Sequence, residues 1–89
     1  ALDQNYPNPF NPSTRIAYTL PVAVVVSLKL YNVIGQLVTT LFEGPESPGQ
    51  YVVTWNGKDN RGKQVTSGLY FYRLQAGNFS ATKKLLLLK

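Results

Sequence analysis

Side chains able to do chemistry are scarce in this sequence. It contains no His, no Cys and no Met, which removes the commonest general base, the commonest thiol nucleophile and most transition-metal ligands. Acid–base or metal chemistry would then fall to its four acids. Glu43 and Glu46 are close together, but both sit in the Pro- and Gly-rich stretch EGPESPGQ, residues 43–50. They read as a solvated loop. Asp59-Asn60-Arg61-Gly62 has the outline of a calcium loop, yet a hard cation wants several carboxylates and Asp59 stands alone among Lys58, Arg61 and Lys63. The same three bases, with tyrosines nearby, read as a solvated turn rather than a nucleic-acid surface. No Gly-rich phosphate cradle leads into a helix, and the glycosylation sequon Asn78-Phe79-Ser80 is a common tripeptide. The expectation is a protein that is not an enzyme, with no cofactor, no metal and no nucleic-acid partner.

The elements behind these residues belong to one small domain. Eighty-nine residues bury roughly two-thirds of the surface of the unfolded chain, so the core is modest. Without Cys it must hold without staples. Nine Lys and Arg against four Asp and Glu give a net charge of +5, which favours anionic partners weakly because the bases are scattered. No apolar run is long enough to insert in a membrane as a helix, and no basic-then-apolar secretory signal opens the chain. Ala1 is not an initiator Met, and neither a cap nor a strand begins there, which reads as a fragment from the end of something longer.

Period-two alternation predicts strands throughout and no helix. Ile16, Tyr18 and Leu20 alternate with Arg15, Ala17 and Thr19; Val26, Leu28 and Leu30 alternate with Ser27, Lys29 and Tyr31, with Pro21 between the two runs. A turn at residues 32–35 leads into a strand over 36–42 whose alternation is imperfect. After the 43–50 loop, Tyr51, Val53 and Trp55 share one face, and the strand ends at Asn56-Gly57. Tyr70, Tyr72 and Leu74 alternate with Leu69, Phe71 and Arg73; Gly77-Asn78 suits a hairpin into a last run, residues 79–88, whose Leu85–Leu88 end is expected to be buried on both sides. The fold class is all-β, an immunoglobulin-like antiparallel β-sandwich of about seven strands with no disulfide.

Residues 1–13 read as a linker and entry clasp ahead of a sandwich over 14–89. In NYPNPFNPST, Pro7, Pro9 and Pro12 push Tyr6, Asn8 and Asn11 to extended geometry, predicting a polyproline-like entry with three residues per turn. Asn5, Asn8 and Asn11 would then line one face. Phe10 is expected to plug the end of the sandwich while the asparagines bond to neighbouring loops.

Four stretches, NYPNPFNPSTRIAYTLP, LYNVIGQLVTTL, WNGKDNRGKQVTSGLYFYRL and KKLLLLK, resemble in order and spacing the type A C-terminal sorting domains of the type IX secretion system. The chain is equally similar to the related immunoglobulin-like domain of the flagellar hook-capping protein. Asn32 and Asn56 depart from the pattern, standing where such domains often carry Asp. The resemblance implies a tag on a larger exported protein: covalently attached cargo on its N-terminal side, outer-membrane secretion machinery as the partner, and passage through the periplasm to the cell surface or medium. It assigns recognition to Gly68, Leu69 and Tyr70 and to Lys83, Lys84, Leu85, Leu86, Leu87, Leu88 and Lys89. The alternatives are a hook-cap-like assembly module, or a carbohydrate-binding appendage using Tyr18, Tyr31, Tyr51, Tyr70 and Tyr72.

Overall fold

The computed structural model describes residues 1–10 and 13–88. Among these residues six strands form two antiparallel sheets: β1 (Thr14–Leu20), β2 (Val24–Tyr31), β3 (Leu37–Glu46), β4 (Gly49–Trp55), β5 (Gly68–Ala76) and β6 (Phe79–Leu87). β1 pairs with β4, and the other sheet has the order β3-β2-β5-β6. The predicted apolar faces meet between the sheets: Ile16, Tyr18, Leu20, Val26, Leu28, Leu30, Trp55, Tyr70, Tyr72 and Leu74 are all buried. Among the described residues no helix is long and apolar enough to cross a membrane.

A seventh segment pairs without forming a regular strand. Leu2 and Tyr6 bridge to Tyr18 and Arg15 in the antiparallel sense, along the edge of β1 that faces away from β4. The Asp3 N–H donates to the Ala17 carbonyl at 3.0 Å, and Tyr6 and Arg15 exchange two bonds of 2.9 Å. The polyproline-like helix is not what forms after Tyr6. The chain bends over residues 7–9, where the Tyr6-Pro7 and Asn8-Pro9 peptides are cis, and Asn5 is buried while Asn8 is exposed, so these two asparagines share no face. Asn11 and Pro12 lie outside the described residues.

Two other expectations are corrected. EGPESPGQ is mostly strand: β3 runs to Glu46 and β4 starts at Gly49, leaving Ser47 and Pro48 as the connection. The register pairs Val26 with Gly44 and Val25 with Pro45, and β3 is an edge, so the missing N–H of Pro45 falls on the outer side where no ladder bond is lost. The imperfect alternation earlier in β3 comes from two register shifts against β2; each extra residue turns the following side chains over. The terminal leucines also differ from expectation. Leu85 and Leu87 are buried, Leu86 is half-buried and Leu88 is 49% exposed, because an edge strand of a sandwich has only one face against the core.

The β5–β6 hairpin follows the Gly77-Asn78 signal, with Ala76 opposite Phe79. Gly77 has φ 59°, and a Cβ there would meet Val24 Cγ2 at 2.9 Å. Only glycine satisfies both the turn and the contact.

Candidate recognition end of the sandwich

The two segments singled out in the sequence are register partners. Gly68, Leu69 and Tyr70 lie opposite Leu87, Leu86 and Leu85, so one hairpin brings them together at one end of the sandwich. Lys83 and Lys84 lie further along β6, opposite Tyr72 and Phe71. Lys89 is outside the described residues.

That end is built on an aromatic row. Phe10 is 2% exposed and packs on Trp55 with ring centroids 5.5 Å apart; Trp55 meets Tyr70 edge-on, also at 5.5 Å. Polar tips are satisfied locally: the Trp55 indole N–H donates to the Lys58 carbonyl at 2.9 Å and the Tyr70 hydroxyl to the Thr66 carbonyl at 2.6 Å. Beside it, the turn after β2 and the start of β5 enclose a groove of about 450 Å³ lined by Val33, Ile34, Val65, Gly68 and Leu69 among others. Ile34 is 75% exposed and Leu69 38%. These are apolar side chains that folding leaves in water.

The entry segment ties this end to both sheets. Phe10 pairs with Leu87 in the parallel sense: its N–H donates to the Leu86 carbonyl and its carbonyl accepts from the Leu88 N–H, both at 3.1 Å. Asn8 Oδ1 accepts from the Leu86 N–H at 2.9 Å, and Gln4 Nε2 donates to the Lys84 carbonyl at 2.7 Å. The outer edge of β6 is thereby covered from Leu86 to Leu88. Further in, the Asn5 N–H donates to the Tyr72 hydroxyl at 2.8 Å and that hydroxyl donates to the Asp3 carbonyl at 2.7 Å. Asn5 Nδ2 reaches Thr14 Oγ1 at 2.9 Å and the Pro7 carbonyl at 3.1 Å. Tyr6 projects outward, 71% exposed, while Pro7 and Pro9 are also exposed. Sequence reasoning missed Gln4 and the coupling of Asn5 to Tyr72, which no local spacing signals across 67 residues.

Burial governs the titration of two tyrosines. The Tyr72 hydroxyl is pushed up to about 12, chiefly by burial. Tyr18 is raised further, by burial and by its 2.5 Å hydrogen bond to Glu46. Asp59 is held low by the Lys63 N–H and then the Arg61 N–H, which its Oδ1 accepts at 3.0 and 2.9 Å. That carboxylate closes its own turn. Among the described residues no three His, Cys, Asp or Glu side chains gather to hold a metal. The row of tyrosines imagined for a sugar does not form, since Tyr18, Tyr70 and Tyr72 are buried and Tyr31 and Tyr51 half-buried.

The fold defines the class as an immunoglobulin-like β-sandwich. The chain belongs to the FlgD Ig-like domain family, matched over residues 10–80. No curated protein matches it in sequence. Among solved structures, FlgD of P. aeruginosa superposes with TM-score 0.64 at 25% identity, over 83% of this chain and 57% of that one. PorZ of Porphyromonas gingivalis, described as an essential bacterial surface component of the type-IX secretion system, gives 0.67 at 20% identity over 97% of this chain. Dimeric latent PorU of Porphyromonas gingivalis gives 0.74 at 17% identity over 96%. At those identities the last two define the fold alone. This chain spans just over half of FlgD, 11% of PorZ and 9% of PorU.

Proposed function

We propose that this domain is a C-terminal sorting signal, carrying an N-terminally attached cargo protein across the outer membrane by type IX secretion and on to the cell surface or medium. In this role it binds the secretion machinery and catalyses nothing. The observation that carries the reading is the pairing of Gly68–Tyr70 with Leu85–Leu87. The segments that the sorting-domain resemblance assigns to recognition lie side by side on one hairpin, where Leu69 and Leu88 are exposed and Tyr70, Leu85 and Leu87 are core. The likeness to a domain of a type IX component adds support at the level of fold.

The test is a fluorescent reporter that carries an inner-membrane secretory signal and is fused ahead of residues 1–89, expressed in a bacterium with type IX secretion and in an otherwise identical strain lacking the translocon. Reporter at the surface or in the medium of the first strain, and in the periplasm of the second, is the expected outcome. Periplasmic retention of a folded fusion in both would overturn it. Family membership then favours the second reading, an assembly module of the hook-cap kind.

A further inference from the structure

The entry segment covers only part of the outer edge of β6. The Leu86 and Leu88 N–H groups and the Lys84 and Leu86 carbonyls are bonded to it, which fixes the residues whose backbone points away from β5 as the even-numbered ones. Because β5 and β6 pair without a register shift, Ser80 and Thr82 also point outward, as does the N–H of Lys84. Among the described residues these groups have no backbone partner. They form an open strip long enough for an added strand to bond.

The charges around the strip indicate what fits it. Lys84 and Thr82 are exposed, Arg73 reaches the strip through its Nε bond to Ser80 Oγ at 3.1 Å, and Lys83 shares the core-facing side of β6 with Leu85 and Leu87. A lysine on the inner face of an edge strand obstructs casual pairing, because an added strand would press it against apolar surface unless an acid met it. Among the described residues the only ion pair is Lys29–Glu43, at the far edge of the same sheet. Asp3, whose carbonyl accepts from Tyr72, the register partner of Lys83, makes no ion pair with that lysine. The β3 edge is blunted by Pro45 and by Asn60, whose side chain accepts from Thr39 and Thr40. The outer edge of β4, at Gln50, Val52 and Thr54, carries no charge to select a partner.

We propose that the Ser80–Lys84 edge of β6 is a docking strand that receives an extended acidic segment of another polypeptide as a fifth strand of the large sheet. Carboxylates of that segment would face Lys83 and Lys84, and its backbone would complete Ser80, Thr82 and the Lys84 N–H. The inference rests on the sorting reading and names the chemistry of the partner.

The reporter fusion tests both, with the two failures distinguishable. Thr82→Pro deletes an outward N–H without touching the β5–β6 ladder, and Lys83→Glu with Lys84→Glu reverses the charge; Val52→Pro is the matched change on β4. Each variant is first checked for an unchanged melting midpoint, and the charge reversal decides alone should the β6 proline unfold the domain. Expected is wild-type export for Val52→Pro and at least a tenfold loss for Thr82→Pro and for the charge reversal. Export of both affected variants at the wild-type level removes the docking strand and leaves the sorting reading standing. Loss in Thr82→Pro alone overturns the acidic partner, and a dimer of the isolated chain dissolved by Thr82→Pro gives the edge to a second copy instead. Retention of the wild-type fusion defeats the sorting reading itself, and this proposal with it.

Discussion

Tyr72 shows how one hydroxyl joins the entry segment to the core. It accepts from the buried Asn5 N–H and donates to the Asp3 carbonyl. Tyr72→Phe therefore leaves an N–H without a partner, at a cost of about 1–3 kcal/mol, measurable by urea unfolding. The same residue sets an alkaline limit. Its pKa rises from 10.0 to about 12 on folding, so above pH 10 the unfolded chain releases a proton that the folded chain retains. Stability from this group is complete below pH 10 and falls as pH rises to about 12. Tyr18 shifts in the same direction, so Tyr72→Phe should weaken the alkaline fall without abolishing it; an identical pH profile in the variant would contradict the assignment.

At the scale of elements, the entry segment and β6 depend on each other. Phe10 occupies the end of the sandwich against Trp55 while its backbone bonds the last turn of pairing on β6. Phe10→Ala should destabilise by about 3–5 kcal/mol, and an unchanged thermal midpoint would show that the ring does not carry the clasp. The proline pattern pointed to a polyproline-like entry, and the chain bends after Tyr6 instead. It could not announce which edge that entry covers, because the partners at Leu86 and Leu88 are more than seventy residues away.

For the whole molecule, the C-terminus serves the fold and the candidate interface at once. Ending the chain at Lys84 removes Leu85 and Leu87, both buried. Each such loss costs about 2–5 kcal/mol, against a total of about 5–15 kcal/mol for a typical domain. The truncated chain should lose cooperative unfolding by circular dichroism, so its failure to be exported would report unfolding. Leu88→Ser changes a side chain that is 49% exposed and should shift stability by no more than about 0.5 kcal/mol, which makes it the cleaner probe of recognition. A large loss of stability there would move Leu88 into the core.

Much of the architecture follows from the sequence alone. Alternation at Ile16–Leu20, Val26–Leu30 and Tyr70–Leu74 fixes which face of each strand is apolar, because side chains on a strand repeat every two residues. Gly77-Asn78 fixes a hairpin because its backbone needs positive φ. The absence of His, Cys and Met is likewise plain in the composition. Only the tertiary structure decided that Pro45 stays within β3, that Leu86 and Leu88 turn away from the core, and that Gln4, Asn8 and Phe10 cover half of the β6 edge. Local pattern reports what a residue prefers. Which edge remains open depends on backbone hydrogen bonds between segments distant in sequence, and these exist only once the sheets have assembled.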